Sequence, residues 1–281
     1  MIRAATRAEL RDAVGAARAA GHRIAFVPTM GALHEGHLSL IDRARDAAGF
    51  VVLSVFVNPL QFGPAEDFAA YPRDLETDAA LAAARGANLL FAPDNGEIYP
   101  RGKPVVMIEA PGLDGKLCGA YRPGHFRGVL TVVAKLFHLV SPDLAVFGRK
   151  DLQQLVMIRQ MARDLDFPIE ILAAPIVREP DGLALSSRNL HLTPEQRTEA
   201  ALLSESLRRA QAAFAGGETS SSALAVIVTA TLALGAAIRP QYVEVVREHT
   251  LERVETAGPG DVIAIAAYVG RTRLIDNHTL E

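Results

Sequence analysis

The 281-residue sequence predicts an α/β fold, a doubly wound parallel sheet followed by a second, smaller α+β domain. Three observations carry this expectation. Short apolar runs alternate with helix-period segments from about residue 24 to residue 177, the order of successive βαβ units with right-handed crossovers. One run, Phe50-Val-Val-Leu-Ser-Val-Phe-Val57, is almost continuously apolar, as a strand covered on both faces should be. Beyond it the order changes to helices followed by strands. The boundary is expected between 176 and 177, giving domains of 1–176 and 177–281.

The elements follow in order. Met1 to Arg11 mixes charge with alanine like a soluble helix and lacks the apolar stretch of a targeting signal. Ile24 to Val27 reads as a strand stopped by Pro28, which has no N–H for a ladder. Gly31 supplies a flexible turn. Leu38, Ile41, Ala44 and Ala48 then fall at helical spacing. The Phe50–Val57 strand ends at Asn58-Pro59, a turn signal. Glu76 to Arg85 is an alanine-rich helix closed by Gly86, and Leu89 to Ala92 a strand stopped by Pro93. A long amphipathic helix (Gly124 to Val140), a strand (Asp143 to Phe147), a helix (about Leu152 to Ala162) and a last strand (Ile169 to Val177) complete the first domain. In the second, Thr193-Pro-Glu-Gln196 is a capping box with proline at the first helical position. Its helix runs to about Ala215 and breaks at Gly216-Gly217; another spans about Ser221 to Leu234. Tyr242–Arg247, Asp261–Val269 and Arg273–Asp276 read as strands, the last two joined as a hairpin across Gly270. The first domain is thus Rossmann-like, and such sheets take ligands at the carboxyl ends of their strands.

Bulk composition narrows the function classes. Apolar residues are 49% and charged residues 22%, the profile of a globular protein. A net charge of −3 argues against a nucleic-acid partner held by phosphate neutralisation. Cys118, the single cysteine, cannot form an intramolecular disulfide, so no oxidising compartment is implied. The most apolar stretch, Ser222 to Ile238, is too short and too rich in alanine and threonine for a membrane span. A cytoplasmic protein without membrane partners is expected.

The chemistry is concentrated in a few segments. His34 and His37 stand three apart at a helix entrance, where both can face the same way. A helix N-terminus offers free N–H groups and a positive dipole end, which suit an anion. With Gly36 allowing close approach, two imidazoles there can hold and protonate phosphate oxygens, as a nucleoside triphosphate requires. The pair also fits a metal site, although no third ligand is evident nearby, and it fits ordinary surface histidines. Asn58 and Gln61 follow a buried strand and carry amides that donate and accept, suiting a small substrate with hydroxyls and a carboxylate; a plain turn is the other reading. Lys150, one of only four lysines, stands at a strand end after Gly148 and beside Asp151, a point charge for triphosphate oxygens or a solvated charge cluster. Ser186, Ser187 and Arg188 combine two hydroxyls and a guanidinium fork at the domain boundary, a polyphosphate clamp or a polar linker.

Taken together, Val-Pro-Thr-Met-Gly-Ala-Leu-His-Glu-Gly-His, Phe-Val-Asn-Pro-Leu-Gln-Phe, Tyr-Pro-Arg-Asp-Leu, Arg-Pro-Gly-His-Phe-Arg-Gly-Val, Gly-Arg-Lys-Asp-Leu-Gln-Gln and Asp-Gly-Leu-Ala-Leu-Ser-Ser-Arg-Asn, spread over residues 27–189, closely resemble the pantoate–β-alanine ligase family of the nucleotidylyltransferase superfamily. The resemblance implies a two-step ligation through pantoyl adenylate that releases pyrophosphate and AMP, and a homodimer joined through the first domain. It implies that Met30, Gly31, Ala32, Leu33, His34, Glu35, Gly36 and His37 border ATP, with His34 and His37 on its phosphates and His37 as proton donor. Gly148, Arg149, Lys150 and Asp151 would add to the ATP site, together with Val177, Leu185, Ser186, Ser187 and Arg188. Lys150 would be catalytic. Gln61 and Gln154 would hold pantoate, Gln61 would also serve β-alanine, and Asn58 would join them in substrate binding. Mg²⁺ would ride on the triphosphate, with no protein metal site.

Two positions depart from the family pattern: Arg149 replaces the usual glutamate and Leu185 a common methionine. The leucine is nearly volume-conserving. Arg149 reverses a charge beside Lys150, either toward solvent or onto phosphate. Other functions share parts of the pattern. A nucleotidylyltransferase that leaves the nucleotide on its product, or a class I aminoacyl-tRNA synthetase fragment, would carry the same histidines, though the charge balance and length disfavour the latter. A regulator would bind ATP without turnover. AMP release separates them.

Overall fold

The structure, a computed structural model, describes residues 1–63, 68 and 71–281. Its chain forms two compact units. One comprises Met1–Gly115, Gly119–Arg149 and Met157–Pro175; the other comprises Lys116–Cys118, Lys150–Val156 and Ile176–Glu281.

The first unit holds a six-stranded parallel sheet. Its strands are β1 (Ile2–Ala4), β2 (Ile24–Thr29), β3 (Phe50–Val55), β4 (Leu89–Phe91), β5 (Leu144–Gly148) and β6 (Glu170–Ala174), in the order β1-β4-β3-β2-β5-β6. Helices α1 (Arg7–Ala19), α2 (Glu35–Ala47), α3 (Leu75–Ala84), α4 (Asn95–Ile98), α5 (Pro111–Asp114), α6 (His125–Val140) and α7 (Leu152–Asp164) follow in chain order. Ile41 and Ala44 of α2 and Ala79 and Ala82 of α3 cover one sheet face, over Val27, Leu53 and Leu90. On the other face Phe137 of α6 meets Phe26 and Phe147 edge-on, ring centroids 6.4 Å apart in each pair. Winding proceeds from β2 through β3 to β4 in one direction and through β5 to β6 in the other. The reversal leaves a crevice at the carboxyl ends of β2 and β5.

Expectations for this unit need correction at several points. Pro28 lies inside β2, paired with Ser54, and does not stop the strand. Residues of a parallel strand turn their polar groups alternately to the two neighbours. Arg23 and Thr29 accept hydrogen bonds from Phe50 and Phe56 on the β3 side, and Ile24 accepts from Asp143 on the β5 side. Pro28 therefore faces β5, whose pairing ends at Phe26, and its missing N–H interrupts no ladder. The N-terminal segment opens with β1 before its helix; three residues on a sheet edge, with only Ala4 buried, give no readable periodicity. The Phe50 strand stops at Val55, two residues early, where Asn58 begins its turn.

The second unit holds α8 (Pro194–Ala200), α9 (Leu202–Ala215) and α10 (Ser221–Leu232) against an antiparallel sheet in the order β7 (Ile238–Arg247), β8 (Asp261–Val269), β9 (Thr272–Thr279). Leu203, Leu207, Leu224, Val228, Ile263 and Ile265 form its core. The expected single helix from Pro194 is interrupted at Ala201, although that residue keeps helical backbone angles (φ −60°, ψ −24°). Strand β7 starts earlier than expected: it is an edge strand, which tolerates Pro240, and a register shift between Pro240 and Tyr242 resets the pairing.

Candidate active site

The turn from β2 into α2 is built around one buried carboxylate. Gly31 (φ +85°) and Ala32 (φ +52°) are both left-handed. Asp78 of α3, 2% exposed, accepts from Ala32 N (3.0 Å) through Oδ2 and from Leu33 N (2.7 Å) through Oδ1. A Cβ on Gly31 would stand 2.7 Å from Asp78 Oδ2 and 3.0 Å from Val55 Cγ1, so only glycine fits. Burial pushes the Asp78 carboxyl above its ordinary range, against the two N–H groups that pull it down. Thr29 ties the strand end in place: its hydroxyl donates to Ser54 O and accepts from Gly31 N.

Helix α2 starts at Glu35 with His34 as its cap. His34 Nδ1 accepts from Gly36 N (3.1 Å), and His37 Nδ1 accepts from His34 N (3.4 Å). The rings lie 4.1 Å apart, tilted by 38°. With both Nδ1 atoms accepting, each neutral ring carries its proton on Nε2. Two neighbouring N–H donors at the positive end of a helix are thereby fixed by the backbone itself. Glu35 does not join them; its carboxylate pairs with Arg85.

Asn58 caps the 3-10 turn Pro59–Gln61, and that turn meets α6 where Gly128 admits it: a Cβ there would stand 2.3 Å from Leu60 O. Asn58 Oδ1 accepts from Leu60 N and from Tyr99 Oη (2.8 Å); Nδ2 donates to Gly128 O (3.1 Å) and to Gln61 Oε1 (3.0 Å). Gln61 Nε2 reaches Met30 Sδ at 3.1 Å, so the segments that follow β2 and β3 share one network. The Gln61 backbone is held as well. Arg122 can only donate, so His125 Nε2 accepts from it, and His125 Nδ1 donates to Gln61 O at 2.8 Å. A cleft of about 550 Å³ opens beside these strand ends, lined by Met30, Phe56, Pro59, Asp78 and Ala92.

Gly148 ends β5, and Arg149 opens the 3-10 turn that leads to α7. In the second unit, Lys150 O accepts from Asn277 Nδ2 (3.1 Å), Gln153 is buried with its amide donating to Lys116 O (2.8 Å), and Gln154 is half-buried. Leu185 N donates to Val177 O, and Ser186 Oγ caps the turn at Arg188. This loop is braced: Arg178 grips the buried Asp276 through two bonds of 2.6 and 3.0 Å, and Arg197 pairs with Glu179. Among the described residues no group of three or more His, Cys, Asp or Glu side chains could hold a metal ion. Nor is any helix long and apolar enough to cross a membrane.

Sequence reasoning missed Asp78, Tyr99, His125 in its supporting role, and the Arg178–Asp276 pair. Asp78 left one trace, a lone acid on the alanine face of α3. The others are 41 to 98 residues from their partners, and no local pattern marks them.

Comparison with known proteins agrees with the geometry. The family described as Pantoate-beta-alanine ligase matches residues 3–279. A pantothenate synthetase of Desulfitobacterium hafniense is 53% identical over 97% of this chain and 96% of its own. That of Heliobacterium modesticaldum is 51% identical over 93% and 92%. A pantothenate synthetase structure from Thermus thermophilus superposes with a TM-score of 0.94 at 46% identity, covering 100% of this chain and 99% of that one. A pantoate-beta-alanine ligase from Francisella tularensis, described as complexed with beta-gamma ATP and beta-alanine, gives 0.82 at 34% identity, covering 99% and 97%.

Proposed function

This chain belongs to the pantoate–β-alanine ligase family, and on that premise we propose that it joins (R)-pantoate to β-alanine with ATP as the activating substrate. A pantoate carboxylate oxygen attacks the α-phosphorus, the bond to the β-phosphate breaks, and pyrophosphate leaves. The amine of β-alanine then attacks the acyl carbon of pantoyl adenylate, forming the amide and expelling AMP.

The histidine pair carries this reading. Charge builds on the phosphoryl oxygens and on departing pyrophosphate, and preset donors are what lower that barrier. The Nε2–H groups of His34 and His37, held at the N-terminus of α2, are such donors, with His37 as the proton donor of a hydrogen bond to a phosphate oxygen. The turn Met30 to Leu33 and the strand end at Gly148 and Arg149 border the nucleotide. From the second unit the reading assigns Lys150 to the triphosphate, and Asp151, Val177, Leu185, Ser186, Ser187 and Arg188 to the remainder of ATP. Gln61 and Gln154 hold pantoate, and Gln61 also serves β-alanine. Mg²⁺ enters with the triphosphate it neutralises. The enzyme works in the cytoplasm, where ATP is supplied, and as a homodimer joined through the first unit, in which Val105 and Val106 supply exposed apolar surface.

Isotope exchange tests the order of steps. Labelled pyrophosphate should enter ATP when enzyme, Mg²⁺, ATP and pantoate are mixed without β-alanine, and omitting pantoate should abolish the exchange. Exchange that requires β-alanine excludes a free-standing adenylate. A product that retains the nucleotide excludes the ligase in favour of a nucleotidylyltransferase.

A further inference from the structure

Asn58 has no hydrogen-bonding capacity left for a ligand. An amide side chain has two donors and an acceptor oxygen with two lone pairs. All four are used internally, on Gly128 O, Gln61 Oε1, Leu60 N and Tyr99 Oη, and the residue is 1% exposed. Its orientation is fixed by chemistry. Leu60 N can only donate, so the atom facing it is Oδ1; Gly128 O can only accept, so the atom facing it is Nδ2. The second Nδ2 hydrogen then meets Gln61, which must turn its carbonyl inward. Gln61 is left presenting Nε2 toward Met30.

We propose that Asn58, with Tyr99 behind it, is a positioning residue that fixes the polarity of the Gln61 amide, so that Gln61 meets the acid substrate with a donor only. This rests on the reading that Gln61 binds pantoate, and it moves Asn58 from substrate contact to support. Tyr99 contributes through the Asn58 oxygen. It is 5% exposed, burial keeps its phenol protonated, and it donates to the lone pair that Leu60 N leaves open. A donor on an amide oxygen also strengthens the N–H groups at the other end of the same amide. The arrangement selects for an acceptor, a carboxylate or carbonyl oxygen, so Gln61 serves β-alanine through its carboxylate and not through its ammonium.

Two substitutions and one spectrum test this. In Gln61→Glu one carboxylate oxygen still accepts from Asn58, but the other turns an anion toward the substrate acid. Gln61→Glu should therefore bind pantoate at least about threefold more weakly than Gln61→Ala; the reverse order overturns the proposal. Tyr99→Phe should raise the KM for pantoate about fivefold and leave kcat and the KM for ATP within about twofold. It should also shift the Asn58 side-chain amide resonances of ¹⁵N-labelled protein. An unchanged KM with unmoved resonances overturns it. If Tyr99→Phe does not fold, the substrate-free wild type decides: a nuclear Overhauser contact from the Gln61 side-chain NH₂ to the Met30 methyl supports the fixed amide, and the same contact to the Asn58 side-chain NH₂ instead refutes it. Failure of wild type to bind pantoate at all would instead overturn the functional reading, while the resonances still report on the relay.

Discussion

Removing the Asp78 carboxylate should cost both stability and turnover, in amounts the structure sets. In Asp78→Ala, Ala32 N and Leu33 N lose their acceptors. A buried donor left unpaired costs about 1–3 kcal/mol. Ala32 is meanwhile held left-handed at about 1–2 kcal/mol, a strain those two bonds offset. With the bonds gone the turn relaxes, recovering part of the strain and re-exposing one N–H. The expected net loss is about 2–4 kcal/mol, with Asp78→Asn intermediate because one amide oxygen still accepts. The same relaxation shifts His34 and His37, and a displacement of about 1 Å at a catalytic group costs about 10²-fold. Urea unfolding followed by circular dichroism, together with an AMP-release assay at saturating substrates, measures both. A variant less than about 0.5 kcal/mol weaker, with wild-type turnover, would show that the carboxylate does not hold the turn. Lost stability with intact turnover would show that the turn does not position the histidines.

Further outcomes follow from other groups. His37→Ala should fold normally and lose about 10²–10⁴ in turnover, as for a positioned acid or phosphate donor; wild-type rates would refute its role. Lys150→Ala should slow the reaction from ATP but not from pre-formed pantoyl adenylate, which has already lost pyrophosphate; equal slowing of both would assign Lys150 elsewhere. His278 in β9 has its pKa depressed below 6.5, by burial first and by Arg178 next. The neutral ring is favoured in the fold, so its contribution to stability is present above 6.5 and is lost as the pH falls through the depressed value. His278→Gln should flatten the fall in unfolding midpoint between 6.5 and the depressed value, and an unchanged pH profile would refute this.

Local patterns were legible wherever the chain itself repeats a physical constraint. The apolar run at 50–57 reads as a buried strand and supplies one over 50–55, the capping box at Thr193 opens a helix as read, and Gly270 turns the last hairpin. The histidine spacing placed both rings at a helix start because three residues is nearly one turn. Where the sequence erred, a local rule met a tertiary exception. Pro28 breaks a ladder only if a neighbouring strand lies on its N–H side, and whether β5 extends that far is decided by pairing across more than a hundred residues.

The sequence alone determined the parallel sheet and the helix start that carries His34 and His37, because periodicity, caps and breakers act within a few residues. What only the tertiary structure decided is which atoms those side chains present. Asn58 looked available to substrate until Tyr99 and Gly128 filled its amide. Gly31 looked merely flexible until Asp78 and Val55 closed on it. The histidine tautomers follow from backbone N–H directions that exist only once the turn is folded. Hydrogen-bond capacity is used up by contacts between distant segments, and no window of sequence records those.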